Sequence, residues 1–142
     1  MKKDNIMKKD DCIFCKLANG DIPTTTLYED EDFRAILDLG PATKGHTLIL
    51  PKEHFRDLTE LPPEISSKVL GVARHIGMAL MKGLGAKGFN VIQNNGEAAG
   101  QTVMHYHVHV IPRYSAKEMP LWTPGTLSDE TAAEVLSAVK IK

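Results

Sequence analysis

Cysteine is scarce in this sequence: Cys12 and Cys15 are the only two. That excludes a small secreted scaffold held by several disulfides. Charge of one sign is also missing, since 17 basic and 18 acidic residues leave a formal net charge of −1. No basic field gathers long nucleic acid, so a nucleic-acid partner is not expected. A single nucleotide is a different case, because a small pocket can be locally cationic in a neutral protein. Long apolar runs are absent too. No stretch approaches the roughly 18–20 apolar residues needed to cross a bilayer. The charged start, Met1 to Asp11, has no apolar segment behind its lysines, so it does not read as a secretory signal. A cytoplasmic protein without a membrane partner is the resulting expectation. There is no internal repeat beyond Met-Lys-Lys-Asp at 1–4 and again at 7–10, and no low-complexity linker. We therefore expect residues 1–11 to be a flexible start and 12–142 to be one domain, tail included, with enough chain for a proper core.

What is present is concentrated in His105-Tyr106-His107-Val108-His109-Val110-Ile111. The alternation predicts a β-strand over 103–111, with Tyr106, Val108 and Val110 facing a core. Three imidazoles would then share the other face, roughly 6.6–6.8 Å apart. A row of imidazoles is expensive to bury unpaired. It makes sense if the rings meet phosphate, metal or one another.

The remaining pattern is that of an α+β fold. Strands are predicted at 24–28, 33–39, 46–50 and 89–93, the first two forming a hairpin over Glu29 to Asp32. One long helix begins near Pro62 and Pro63. It buries Ile65, Val69, Val72, Ile76 and Leu80 at helical spacing and ends at Gly83 and Gly85. A short helix is expected near 128–139, with Asp129 and Glu130 in its first turn. The sum is an antiparallel sheet of about five strands with one long helix packed on it.

A neutral imidazole is a nucleophile at cytoplasmic pH and can attack phosphorus, provided its second nitrogen donates to a fixed acceptor. Donors must meet the phosphate oxygens as charge builds. The loop before the histidines offers Asn94, Asn95, Gly96, Gly100, Gln101 and Thr102, and His46 adds another imidazole.

These residues resemble the histidine triad (HIT) signature. The likeness extends from the triad to Asp38, to His46 in Gly-His-Thr-Leu-Ile-Leu-Pro-Lys, to Asn94 and to Gly100-Gln101-Thr102, over roughly residues 12 to 114. It is similar to bacterial members related to the Hint nucleoside phosphoramidases. That resemblance implies His107 as the nucleophile, His109 on the phosphate oxygens and His46 supporting the triad. It implies Asp38 on the ribose hydroxyls, and Asn94, Gln101 and Thr102 on the phosphate and leaving-group side. The implied substrates are purine nucleotides split at the α-phosphate, either nucleoside phosphoramidates or dinucleoside polyphosphates. The implied assembly is a homodimer with the tail near the partner's pocket.

The Cys12-x-x-Cys15 pair is a separate signal. A disulfide does not suit a cytoplasmic protein. A thioredoxin-like pair would open a helix after a strand, which this position does not offer. Zinc needs two more ligands, and His54 is a candidate. By the resemblance, Cys12, Cys15, His54 and His105 hold a structural zinc, and no catalytic metal is required. Three alternatives stay open at this point: a buried pair of reduced thiols, a catalytic metal on the triad, and a non-catalytic nucleotide sensor or regulatory partner protein.

Overall fold

The computed structural model describes residues 7–119 and 122–141. Part of the start expected to be flexible therefore lies outside the described residues. Met7 does not hang free, since its carbonyl accepts from the N–H of His54 at 2.7 Å.

The elements are α1 (Ile13–Ala18), β1 (Thr26–Glu29), β2 (Phe33–Leu37), β3 (Thr47–Pro51), α2 (Pro63–Leu84), β4 (Gly88–Ile92), β5 (Val108–Arg113) and α3 (Asp129–Ala138). The five strands form one antiparallel sheet in the order β1-β2-β3-β5-β4. The α+β expectation holds. The long helix starts with proline in its first turn, where a missing N–H costs nothing. It runs through Gly83 and stops at Gly85, whose φ of 72° is the left-handed cap. No helix is long and apolar enough to cross a membrane among the described residues.

Strand alternation sorts the core into two layers. Phe33, Ala35, Ile49, Tyr106, Val108 and Val110 face α2, whose Ile65, Val69, Val72, Ile76 and Leu80 are all buried against them. The opposite face carries Ile36, Leu48 and Leu50 under α1, packed by Phe14 and Leu17. Gly77 lets α2 approach the sheet: a Cβ there would collide with the ring of Phe89.

One expectation needs correction, and one element was not foreseen. The ladder of the histidine strand begins at Val108, so His105 and His107 precede it. The register with β3 ends at Ile49↔Val108. Beyond that, Pro51 has no N–H to donate, and the backbone of Tyr106 turns to the carbonyl of Phe55 at 2.6 Å instead. The unforeseen element is α1. Cys12 caps it by accepting from the Cys15 N–H at 3.3 Å. The buried amide of Asn19 then ties its end to the carbonyl of Lys52 at 2.8 Å.

Candidate active site and metal cluster

His107 and His109 alternate with the core residues Tyr106, Val108 and Val110, so both rings emerge on the α1 face of the sheet. There they line a cleft of about 670 Å³ together with Asp38, Asn94, Gly100 and Thr102. That volume is in the range of small-ligand sites. Its apolar side is built from Phe14, Leu17, Ile36 and Leu48.

Backbone carbonyls and amides set the proton on each ring. The Nδ1 of His107 lies 2.7 Å from the carbonyl of His105. A carbonyl only accepts, so Nδ1 carries the hydrogen and Nε2 keeps its lone pair. Burial holds the His107 imidazole below its ordinary range, against a smaller opposing pull from that carbonyl and from Asp38. It is neutral at neutral pH, as a nucleophile must be.

A second chain of bonds runs behind His109. The N–H of Ala42 donates to Nδ1 of His46 at 2.9 Å. The proton of neutral His46 therefore sits on Nε2, which faces Nδ1 of His109 at 2.9 Å. His109 accepts there and is left with a hydrogen on Nε2, a donor suited to a phosphate oxygen. Burial first, then His107 and His46, push His109 down to about 4. Asp38 has one oxygen fixed by the N–H of Gly40 at 2.8 Å and the other 3.6 Å from Nε2 of His46. Asp38, His46 and His109 lie close enough to suggest a cation site. The bond from Ala42 argues against one, because a metal on Nε2 of His46 would need that nitrogen stripped of its proton as well.

Gln101 is placed differently from the expectation. Its side chain is buried behind the cleft wall, where its oxygen accepts from Gly96 N–H at 2.8 Å and its nitrogen donates to the carbonyls of Arg56 and Val103 at 2.7 and 3.0 Å. It shapes the loop instead of facing the cleft.

The cysteine pair meets two histidines. Nδ1 of His105 lies 3.4 Å from the Sγ of Cys12 and 3.4 Å from that of Cys15, while Nδ1 of His54 is 3.3 Å from Cys15 Sγ. Nε2 of His105 donates to the carbonyl of Pro51 at 2.9 Å, which leaves Nδ1 bare toward the sulfurs. A tetrahedral zinc with usual bond lengths separates its sulfur and nitrogen ligands by about 3.5 Å. The four donors fit that geometry. Burial pushes the Cys15 thiol up to about 11, so its thiolate calls for a cation.

The HIT domain model matches residues 19–116, more than half of the chain. The chain belongs to the HIT family. Relatives across its length agree. An uncharacterized HIT-like protein of Methanocaldococcus jannaschii is 47% identical over 130 residues, covering 91% of this chain and 98% of the relative. An adenylylsulfatase of Arabidopsis thaliana is 39% identical, covering 93% and 69%. An adenosine 5'-monophosphoramidase of Schizosaccharomyces pombe is 42% identical, covering 72% and 74%. Among solved structures, a HIT family protein of Bacillus anthracis superposes with a TM-score of 0.80 at 40% identity, covering 94% of this chain and 100% of that one. A zinc-bound histidine triad protein of Mycobacterium smegmatis gives 0.74 at 40% identity, covering 91% and 98%.

Sequence reasoning missed two contributors to the site. Phe14 stands edge-on to His107, with ring centroids 4.9 Å apart and planes at 90°. It comes from α1, whose six residues are too few to show a period. Ala42 acts through its backbone, which leaves no mark in the residue type.

Proposed function

We propose that this protein is a nucleotide hydrolase or nucleotidyl transferase acting at the α-phosphate of purine nucleoside phosphoramidates or dinucleoside polyphosphates. One observation carries the reading: the His105 carbonyl holds the proton of His107 on Nδ1, so the bare Nε2 belongs to the cleft. Nε2 of His107 attacks phosphorus, and the amine or phosphate group leaves. Water then cleaves the phosphorus–nitrogen bond and releases the nucleoside monophosphate. His109 donates to the phosphate oxygens and His46 fixes its tautomer. Asp38 receives the ribose hydroxyls, Asn94 and Thr102 face the leaving group, and the apolar wall takes the base. Relatives described as adenylylsulfatase and adenosine 5'-monophosphoramidase support an adenylyl substrate.

Cys12, Cys15, His54 and His105 hold zinc in this reading, as in a closed structural site that joins α1 to the sheet. The reduced pair fits a cytoplasmic setting. The protein is a homodimer in this reading, supported by Leu70, Met78 and Met81 exposed on one flank of α2.

The test is AMP release from an adenosine phosphoramidate and from diadenosine tetraphosphate, with wild type beside His107→Ala. Release that depends on His107 establishes the enzyme and names its leaving group. Unchanged turnover in His107→Ala overturns the mechanism. No release from either substrate, with AMP still bound, turns the site into a sensor.

A further inference from the structure

Cys12 and Cys15 are placed for chemistry that a purely structural site does not need. They are the only cysteines of the chain. Cys12 is partly exposed and caps α1, and Cys15 follows in the first turn with its N–H donating to the Cys12 sulfur at 3.3 Å. Both sulfurs stand 3.4 Å from the same nitrogen, Nδ1 of His105, and lie within 4.8 Å of each other. Rotation of the two side chains is enough to join them.

Solvent reaches the pair through a hollow of about 230 Å³ that opens onto Cys15. Lys8, Lys9 and Lys16 line it against Asp10 and Asp21, so its charge is net positive. Reactive cysteines sit in electropositive, partly exposed places of this kind, whereas inert structural ones are enclosed in apolar surroundings. The pair is also joined to the catalytic cleft twice. Phe14, between the two cysteines, stands edge-on to His107 with ring centroids 4.9 Å apart. His105, whose ring faces both sulfurs, uses its carbonyl to hold the proton of His107 at 2.7 Å.

We propose that Cys12 and Cys15 form a reversible redox site for hydroperoxides, and that its oxidation loosens the catalytic cleft. The proposal rests on the zinc reading above. With hydrogen peroxide, the Cys12 thiolate attacks one oxygen, forming a sulfenic acid and releasing hydroxide. The Cys15 thiolate then attacks that sulfur, closes the disulfide and releases a second hydroxide. Two electrons pass from sulfur to peroxide, and both hydroxides leave as water after protonation. The lysines of the hollow meet the departing anion. The joined sulfurs no longer serve as thiolate ligands, and His54 and His105 alone do not complete a zinc site. A cellular thiol reverses the step.

Reduced, zinc-loaded, full-length protein is treated with hydrogen peroxide while a chromogenic chelator reads released zinc and the tryptic peptide of residues 10–16 is weighed. That peptide should lose two hydrogens in step with the release of one zinc per chain. A fluorescent AMP analogue should bind about tenfold more weakly to the oxidised protein. Dithiothreitol with added zinc should restore peptide, metal and affinity. The triple variant Lys8→Gln, Lys9→Gln, Lys16→Gln should oxidise about tenfold more slowly while holding zinc as before. Oxygen gained in place of hydrogen lost, a disulfide between chains, an unchanged AMP affinity, or an unchanged rate in the lysine variant overturns the proposal. A reduced protein that takes up no zinc sinks the zinc reading instead, and the mass of the same peptide then judges the redox pair alone.

Discussion

His46 Nε2 stands 2.9 Å from His109 Nδ1, and the amide of Ala42 decides which of them donates. Two rings that could each present either tautomer are thereby locked in one direction, pointing the last hydrogen toward the cleft. If His46 acts only by fixing His109, then His46→Ala should lower kcat roughly 10–100-fold, the usual cost of losing an orienting partner, with KM little changed. His46→Gln should recover part of the loss. Its amide can accept from Ala42 and donate to His109, as the imidazole does. Equal loss in both variants would remove the relay.

The pH profile follows from burial. Burial lowers His107 from its ordinary value, and lowers His109 to about 4. The acid limb of kcat/KM should therefore lie below pH 6.5. Asp38 opposes the shift at His46, His107 and His109, since its carboxylate favours imidazolium. Removing that charge lowers the three pKa values further, so Asp38→Asn should move the limb to lower pH while raising KM. A limb that stays in place, or moves up, counts against the charge coupling.

Metal removal should reach the cleft through α1. Cys12 and Cys15 bracket Phe14, which stands against His107 and lines the cleft with Leu17. Stripping zinc with a chelator, or Cys15→Ser, should lower Tm by roughly 5–15 °C. A fluorescent AMP analogue should bind more weakly to the stripped protein, and added zinc should restore both readings. Unchanged affinity after verified metal loss would confine the site to stability.

The parts of this molecule that were legible in the sequence are those with a period. Ile65 to Leu80 recur every turn and are the buried stripe of α2. Tyr106, Val108 and Val110 alternate with the histidines and do face the core. The ladder's late start was not legible, because it depends on Pro51 in a strand 54 residues away from His105. Gln101 looked like a polar group available to a ligand. Its amide is taken instead by the carbonyl of Arg56, 45 residues distant, and no local pattern encodes that. Cys12, Cys15, His54 and His105 were carried over from a family likeness. Their spacing alone did not bring His54 and His105 to the same point in space.

The buried lysine offers a stability prediction with a definite sign. Lys52 has a side chain only 1% exposed, and its Nζ lies 2.6 Å from Glu29 Oε2, with Arg34 on the same oxygen at 3.0 Å. The Lys52 hydrogen bond, aided by Arg34 and opposed by burial, holds Glu29 down to about 2. Its unfolded value is about 4.3. The folded carboxyl thus gives up its proton more readily than the unfolded one. Its contribution is complete above about pH 4.3 and is lost as pH falls toward 2. Wild-type stability measured by urea unfolding should decline across that window, and Glu29→Gln should show a flatter decline there. At neutral pH, Glu29→Gln should cost about 3–5 kcal/mol, because a buried ammonium loses this carboxylate. The double variant Glu29→Gln with Lys52→Met should cost less than Glu29→Gln alone, since it removes the charge along with its counterpart. A double variant as unstable as the sum of the two single ones would mean that the pair is not coupled, and the short contact would then contribute nothing to tying the end of β1, across β2, to the residue that follows β3.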